Sequence, residues 1–223
     1  MTSDVRLLAE DLLLLGWNDD SGRPHGSLAV QLNPAIGGAL LLDLALRDRL
    51  RLEVDQPRAS TRPTGDELLD EVARQIRDGP RRRKLKGWVS KVGTTARRDQ
   101  VRDRLIARGL LAPEERKVLG VFTSTRHRLN DPAEVERLTA EVRGVLTGGR
   151  PTDERATVLV ALVGATSVLD RLVPRGERGA ARERAKELAE SFPVAAAARA
   201  VIRDTQAALV ATFAGVPGAA SSR

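Results

Sequence analysis

The chain has 223 residues and a mass of 24.1 kDa, enough for one large domain or two small ones around a sizeable core. It contains no cysteine, which excludes disulfides and thiolate metal sites, and only 2% aromatics without a tyrosine, so an aliphatic and helical core is expected. A net charge of +7 and an isoelectric point of about 10.8 favour anionic partners, whether lipid headgroups, nucleic acid or acidic protein.

The amino terminus carries Asp4 and Glu10 and lacks the basic-then-apolar pattern of a secretory signal. A first amphipathic helix is expected over 4–15, followed by a turn at Asp19-Asp20-Ser21-Gly22. Asn33-Pro34 reads as the cap and first position of a second helix running to about Asp48. The alternation in 49–54 predicts a strand, and 55–63 a loop. Thr64 with Glu67 forms a capping-box pattern that opens a helix to about Arg77, which Asp78-Gly79-Pro80 ends. Leu85, Trp88, Val89 and Val92 recur at helical spacing, and 96–108 is a further helix stopped by Gly109.

A hairpin is expected from 117–123 and 125–129. Asp131-Pro132 then opens a helix to about Leu146. Gly148-Gly149-Arg150-Pro151 is the clearest linker. Three helices follow near 153–171, 177–190 and 194–213, and the small residues of 214–223 predict a flexible tail. The apolar 156–169 stretch needs partners on several sides, which favours one domain, 1–213, with that helix central. The longest uncharged stretches, 24–42 and 205–222, are broken by Pro and Gly and do not read as membrane spans. The five lysines are far outnumbered by arginine, which with abundant alanine suggests a GC-rich bacterial gene.

The block Leu7-Leu-Ala-Glu-Asp-Leu-Leu-Leu-Leu-Gly16, followed by Gly38-Ala-Leu-Leu-Leu-Asp-Leu-Ala-Leu-Arg-Asp-Arg-Leu-Arg-Leu-Glu53, resembles the start of the Golgi phosphoprotein 3 family. Further pieces match in order: Pro63-Thr-Gly-Asp-Glu-Leu-Leu-Asp-Glu71, Val101-Arg-Asp-Arg-Leu105 leading into Gly109, and Ala156 to Leu172 with Ser167-Val-Leu-Asp170. The resemblance covers about 4–213. It implies an all-α, mostly helical single domain with a small β-hairpin. It also implies a peripheral membrane protein that binds phosphatidylinositol 4-phosphate.

The residues themselves single out the helix over 96–108. Val101, Leu105 and Ile106 mark its apolar face, and Arg98 and Arg102 project onto that face. They either line a pocket for an anion such as a phosphate, or pair with carboxylates, Asp43 being one candidate. The family pocket uses two arginines three apart on this helix, with a tryptophan and an arginine near the start of the second helix. By resemblance, Arg102 matches the second helix arginine, and Asp99 stands at the first with Arg98 beside it. Gly37 stands at the other arginine and Leu28 near the tryptophan. Trp17 is not at the matching place, and its Trp-Asn-Asp context reads as chance within a turn.

The cluster Arg81-Arg-Arg-Lys-Leu-Lys-Gly-Trp-Val-Ser-Lys91 offers a membrane-surface helix, with Arg82, Arg83 and Lys84 on anionic headgroups and Trp88 at the interface. Alternatively, Trp88 packs inward beneath a solvated charged face. Val118, Leu119, Val121 and Phe122 form an apolar arm; the family's matching hairpin contributes to membrane contact and self-association. A helix followed by a basic hairpin is also the outline of a winged helix, with Arg97, Arg104, Arg108, Lys117, Arg126 and Arg128 toward phosphates. Asp99 and Asp103 oppose that reading, so nucleic acid is the disfavoured partner. His25 and His127 are far apart, and no phosphate-loop, dinucleotide or zinc-protease motif occurs. The expected function is therefore non-enzymatic binding of anionic phospholipid at the inner face of the membrane by a cytoplasmic protein. No cofactor or metal is expected, and an adaptor role or a partner of acidic surface remains open.

Overall fold

The first helix is buried on every side. In the computed structural model, which describes residues 5–53, 56–118, 122–191 and 196–214, all eight residues of α1 (Leu8–Leu15) are inaccessible to solvent, Glu10 and Asp11 included. Its start is fixed by the Glu10 carboxylate, whose Oε2 accepts the Leu7 N–H at 2.6 Å. A short turn links β1 (Trp17–Asn18) to β2 (Arg23–Pro24), with Gly22 at φ +62°. After the single turn α2 (Gly26–Ala29) comes α3 (Leu32–Leu46), again buried over most of its surface.

α3 begins before Asn33, with Gln31 at its cap, so Asn33 is not the cap expected from the sequence. Pro34 lies within the first turn, where no backbone N–H is needed. Two glycines allow neighbours to reach the α3 backbone. A Cβ on Gly37 would lie 2.2 Å from the Val89 carbonyl of α5 (Leu85–Val92), and one on Gly38 would lie 2.2 Å from Thr205 of α11 (Ala196–Ala214). α3 is thus the post against which α1, α5 and α11 pack.

The strand expected at 49–54 is β3 (Leu50–Glu53). The following segment is not a loop but β4 (Gln56–Ala59), antiparallel to it with Leu52 opposite Pro57. A proline hides this strand from a sequence reading, although an edge strand tolerates one. α4 (Glu67–Asp78) is capped by Asp66, which accepts from Leu68 N and Leu69 N, and not by Thr64. Thr64 Oγ1 instead accepts the Asp66 N–H. α6 (Thr95–Ala107) ends at Gly109, which has φ +71°.

The hairpin is longer than expected: β5 (Leu111–Val118) pairs with β6 (Phe122–Leu129) from Leu111↔Leu129 to Val118↔Phe122. Pro113 and two glutamates disguise its first strand. α7 (Pro132–Leu146) has Asp131 as its cap, as expected. The expected 153–171 helix is broken into α8 (Glu154–Gly164) and α9 (Leu169–Leu172). Thr166 Oγ1 and Gln31 Oε1 accept the N–H groups of Val168 and Ser167 in the gap. α10 (Arg178–Ser191) crosses α8 at Gly164, where a Cβ would meet Ala185 at 2.3 Å. One continuous apolar core runs from Leu7 to Leu209, and the fold is mostly α-helical with small antiparallel hairpins.

Charges are threaded through this core. Glu10 Oε1 accepts from Arg108 Nε at 3.0 Å and lies 3.4 Å from Arg104 Nε. Asp11 takes Arg6 at 2.6 Å and Arg155 at 2.5 Å. Arg6 also pairs with Glu134 of α7, whose carboxyl Arg137 and Arg6 hold down at about 2. Asp43 Oδ2 accepts the Leu8 N–H at 2.9 Å. Burial pushes its carboxyl up to about 7, against the opposing pull of Arg155 and that N–H.

The native state holds a proton on Asp43 up to about pH 7, while the unfolded chain releases it near 3.8, so this group makes stability fall as pH rises between those values. Asp43→Asn keeps an acceptor for Leu8, and in chemical denaturation it should remove that fall and gain on the order of 1–3 kcal/mol over wild type at pH 8. Gly37→Ala forces a methyl into the Val89 carbonyl and should cost about 1–3 kcal/mol in the same assay.

Candidate functional site

α6 sorts its arginines by face. Arg97, Arg104 and Arg108 look toward α1 and α4. Arg97 Nη1 donates to Glu71 at 2.6 Å and to Gln100 at 2.9 Å, and Arg104 Nη2 to Asp66 at 2.6 Å. Arg108 closes on Glu10. These side chains are internal braces, and Val101 and Leu105 between them are fully buried. Of the cations that the winged-helix outline turns toward phosphates, Arg97, Arg104 and Arg108 therefore meet the protein's own carboxylates. The Lys117 side chain lies outside the described residues, and Arg126 is turned to the Asp20 carbonyl at 3.5 Å.

Arg98 and Arg102 lie on the other face and are neither buried nor paired with Asp43. Their side chains are 34% and 29% exposed. They line a cleft of about 390 Å³ together with Trp17, Arg23, Asp99 and His127. Arg102 Nη1 donates to Asp99 Oδ1 at 3.0 Å, and its Nε and Nη2 donate to Asp103 Oδ1 at 3.1 and 2.8 Å. Arg98 Nη2 is 3.6 Å from Asp99 Oδ1. Carboxylates on the same helix thus occupy donors that an external anion would use. The arginines line a cleft and pair with carboxylates, which are Asp99 and Asp103 and not Asp43.

Trp17 is the residue that sequence reasoning set aside. The structure places it in this cleft, 5% exposed, with Nε1 donating to the His127 carbonyl at 3.0 Å and its ring edge-on to the imidazole, 6.4 Å between centroids. The β5–β6 hairpin holds it there. His127 N donates to the Gly22 carbonyl at 3.3 Å and Leu129 N to Asp19 Oδ1 at 2.6 Å, tying β6 to the turn after α1. Gly22 has no room for a side chain, since a Cβ would lie 2.7 Å from Arg126 Cβ. Arg23, one residue on, adds a third guanidinium that was also missed. Its only signal in the sequence was its place beside the Asp/Gly turn. Burial and the nearby Arg102 push the His127 imidazole below its usual pKa, so it is neutral at pH 7 and leaves the charge of the cleft to the arginines.

Of the remaining expected contacts, Trp88 is inside, 2% exposed, with the Arg83 guanidinium 5.0 Å from its ring centroid. It cannot serve as an interfacial anchor in this conformation, because the apolar face of α5 is committed to α3 and α11. Arg82 and Lys84 are exposed above it. The side chains of Val118, Leu119, Val121 and Phe122 lie outside the described residues. Gly37 is a packing glycine against the α5 backbone, which leaves no space there for an arginine. Among the described residues, no cluster of His, Asp and Glu has the geometry of a metal site, and no helix is long and apolar enough to cross a membrane.

Residues 8–205, which include every residue lining this cleft, match the model of the family Golgi phosphoprotein 3 (GPP34), and the chain belongs to that family.

Proposed function

We propose that the protein binds anionic phospholipid headgroups reversibly at a membrane surface, as a non-enzymatic peripheral protein with an adaptor role. The observation that carries this reading is the convergence of Arg98, Arg102, Arg23 and Trp17 on one cleft in a chain of this family. Guanidinium forks suit phosphate oxygens, and a tryptophan edge suits the boundary between headgroup and acyl region. A phosphoinositide monophosphate headgroup is the ligand class proposed. Arg102 supplies the fork, Arg98 and Arg23 supply flanking charge, and Trp17 forms the wall. Arg82 and Lys84, with the neighbouring exposed cations Arg81, Lys86 and Lys91, add long-range attraction to an anionic surface. Val118, Leu119, Val121 and Phe122 are proposed as the apolar contact with the membrane.

Asp99 and Asp103 set the affinity in this reading. A headgroup phosphate has to take Arg102 donors from them, so binding should be weaker than for the same arginines without acidic neighbours.

The test is co-sedimentation with neutral vesicles and with vesicles carrying phosphatidylinositol, its 4-phosphate or phosphatidylglycerol. Arg98→Ala/Arg102→Ala should lower binding to the anionic vesicles about tenfold or more while the thermal melt stays near wild type. Binding that follows total charge and ignores this substitution would overturn the pocket and leave a generic basic surface. No binding to any vesicle would end the membrane reading. Conversely, Asp99→Asn should raise affinity for the preferred vesicle roughly two- to fivefold at low salt, with the gain shrinking as ionic strength rises.

A further inference from the structure

Among the described residues lining the Arg98/Arg102 cleft, only His127 carries a group that titrates near neutral pH. Its backbone is fixed at both ends. The carbonyl accepts Trp17 Nε1 at 3.0 Å, and the N–H donates to the Gly22 carbonyl at 3.3 Å. The half-buried imidazole is thus held at the cleft wall, edge-on to the Trp17 ring. A neutral imidazole offers one N–H donor and one acceptor, and the imidazolium offers two donors.

Charged groups surround this ring from three sides. On α6, Arg102 lowers its pKa and Asp103 raises it, and Arg98 and Asp99 stand one turn earlier. On the side of the turn after α1, Arg23 lines the same cleft, Asp19 Oδ1 accepts the Leu129 N–H, and Asp20 is exposed. On the hairpin itself, Arg126, turned to the Asp20 carbonyl, and Arg128 flank His127 in sequence. Pro113 is its cross-strand partner, and Glu114 and Glu115 beside it are exposed. Burial first and Arg102 second keep the ring neutral at pH 7, against Asp103.

An anion on Arg102 reverses that balance. It offsets the repelling guanidinium and brings its own negative charge to the same wall. It also frees the Asp103 carboxylate, whose Oδ1 accepts from Arg102 Nε and Nη2 in the empty cleft. All three changes favour the imidazolium. Resting on the headgroup reading of this cleft, we propose that His127 takes up a proton from solvent when a phosphate headgroup enters, becomes a further donor to that headgroup, and makes the affinity of the cleft rise as pH falls.

The coupling is reciprocal. The factor by which the phosphate raises the proton affinity of His127 is the factor by which the proton raises phosphate affinity. One pH unit in the imidazole midpoint corresponds to about tenfold in affinity. The bound-state pKa lies above the free one, so the gain is absent at high pH, develops as pH falls through the bound value, and is complete below the free value, itself under 6.5.

The experiment measures co-sedimentation with phosphatidylinositol 4-phosphate vesicles from pH 8 to pH 5.5, for wild type and His127→Gln. The lipid phosphate also gains a proton in this range, with a second pKa of about 6, but this weakens both proteins alike, so their ratio isolates His127. The ratio of wild-type to His127→Gln affinity should grow about three- to tenfold as pH falls across the range. A merely structural role would lower affinity by one factor at every pH and overturn the proposal. Proton NMR of the wild type supplies a second readout that needs no variant, since the chain has only two histidines. Saturating glycerophosphoinositol 4-phosphate should raise the His127 midpoint by roughly half a unit to one unit and move His25, which does not line this cleft, less. A His127 midpoint that stays or falls overturns the proposal. If Arg98→Ala/Arg102→Ala still abolishes vesicle binding in that case, the headgroup site stands and only the proton coupling is lost. No vesicle binding at any pH overturns both.

Discussion

Two adjacent carboxylates on a fully buried helix organise this protein. Glu10 and Asp11 have almost no water to solvate them, with exposures of 0% and 1%, so each must be met by cations from elsewhere. Glu10 draws Arg104 and Arg108 from α6. Asp11 draws Arg155 from α8 and Arg6, which reaches on to Glu134 of α7. Three helices distant in sequence are thereby set around α1 in one arrangement. Removing one partner would leave a buried charge uncompensated at about 3–5 kcal/mol, so the network tolerates few alternatives. Leucine packing alone, on helices apolar over most of their surface, would not fix rotation or register so sharply.

That constraint creates the cleft indirectly. Once Arg97, Arg104 and Arg108 are committed to Glu71, Asp66 and Glu10, the rotation of α6 is settled. Arg98 and Arg102, a turn apart on the remaining face, are then held toward Trp17 and the β5–β6 hairpin. The same hairpin, tied to the turn after α1 through Gly22 and Asp19, carries His127 to the tryptophan. The local charge of the site is modest, because Asp99 and Asp103 lie within the same two turns as the arginines they neutralise.

Close backbone contact decides what cannot be present. Gly37 and Gly93 let α3 and α5 approach until a Cβ on either would strike a carbonyl at little more than 2 Å. Position 37, where resemblance looked for a pocket arginine, is closed to any side chain. The third guanidinium of the cleft comes instead from Arg23, on the strand after the turn. Trp88 is withdrawn from the surface by the same packing of α5, which leaves the basic segment its charge but not its aromatic contact.

Much of the architecture was legible in the sequence. Leucine periodicity marked α1 and α3, Asp131-Pro132 marked the start of α7, Gly109 marked the end of α6, and the ordered blocks marked the family. Local signals sufficed there because caps, breakers and apolar spacing act within a few residues. Arg98 and Arg102 were read as charges on the apolar face of α6, whereas the structure turns them to its other face, because Arg97, Arg104 and Arg108 take the inner side with Val101 and Leu105. The sequence did not reveal β4 and the first half of β5, whose prolines and glutamates mask strands that exist only through their partners. Nor did it reveal the break between α8 and α9, which side chains from distant segments satisfy. Trp17 and Arg23 were hidden for the same reason: only the folded hairpin brings residues near 20 against residues near 127. The sequence by itself determined helical class, family and the cationic helix. The tertiary structure decided which cations are spent inside and which face the cleft, because that depends on buried carboxylates up to about a hundred residues away.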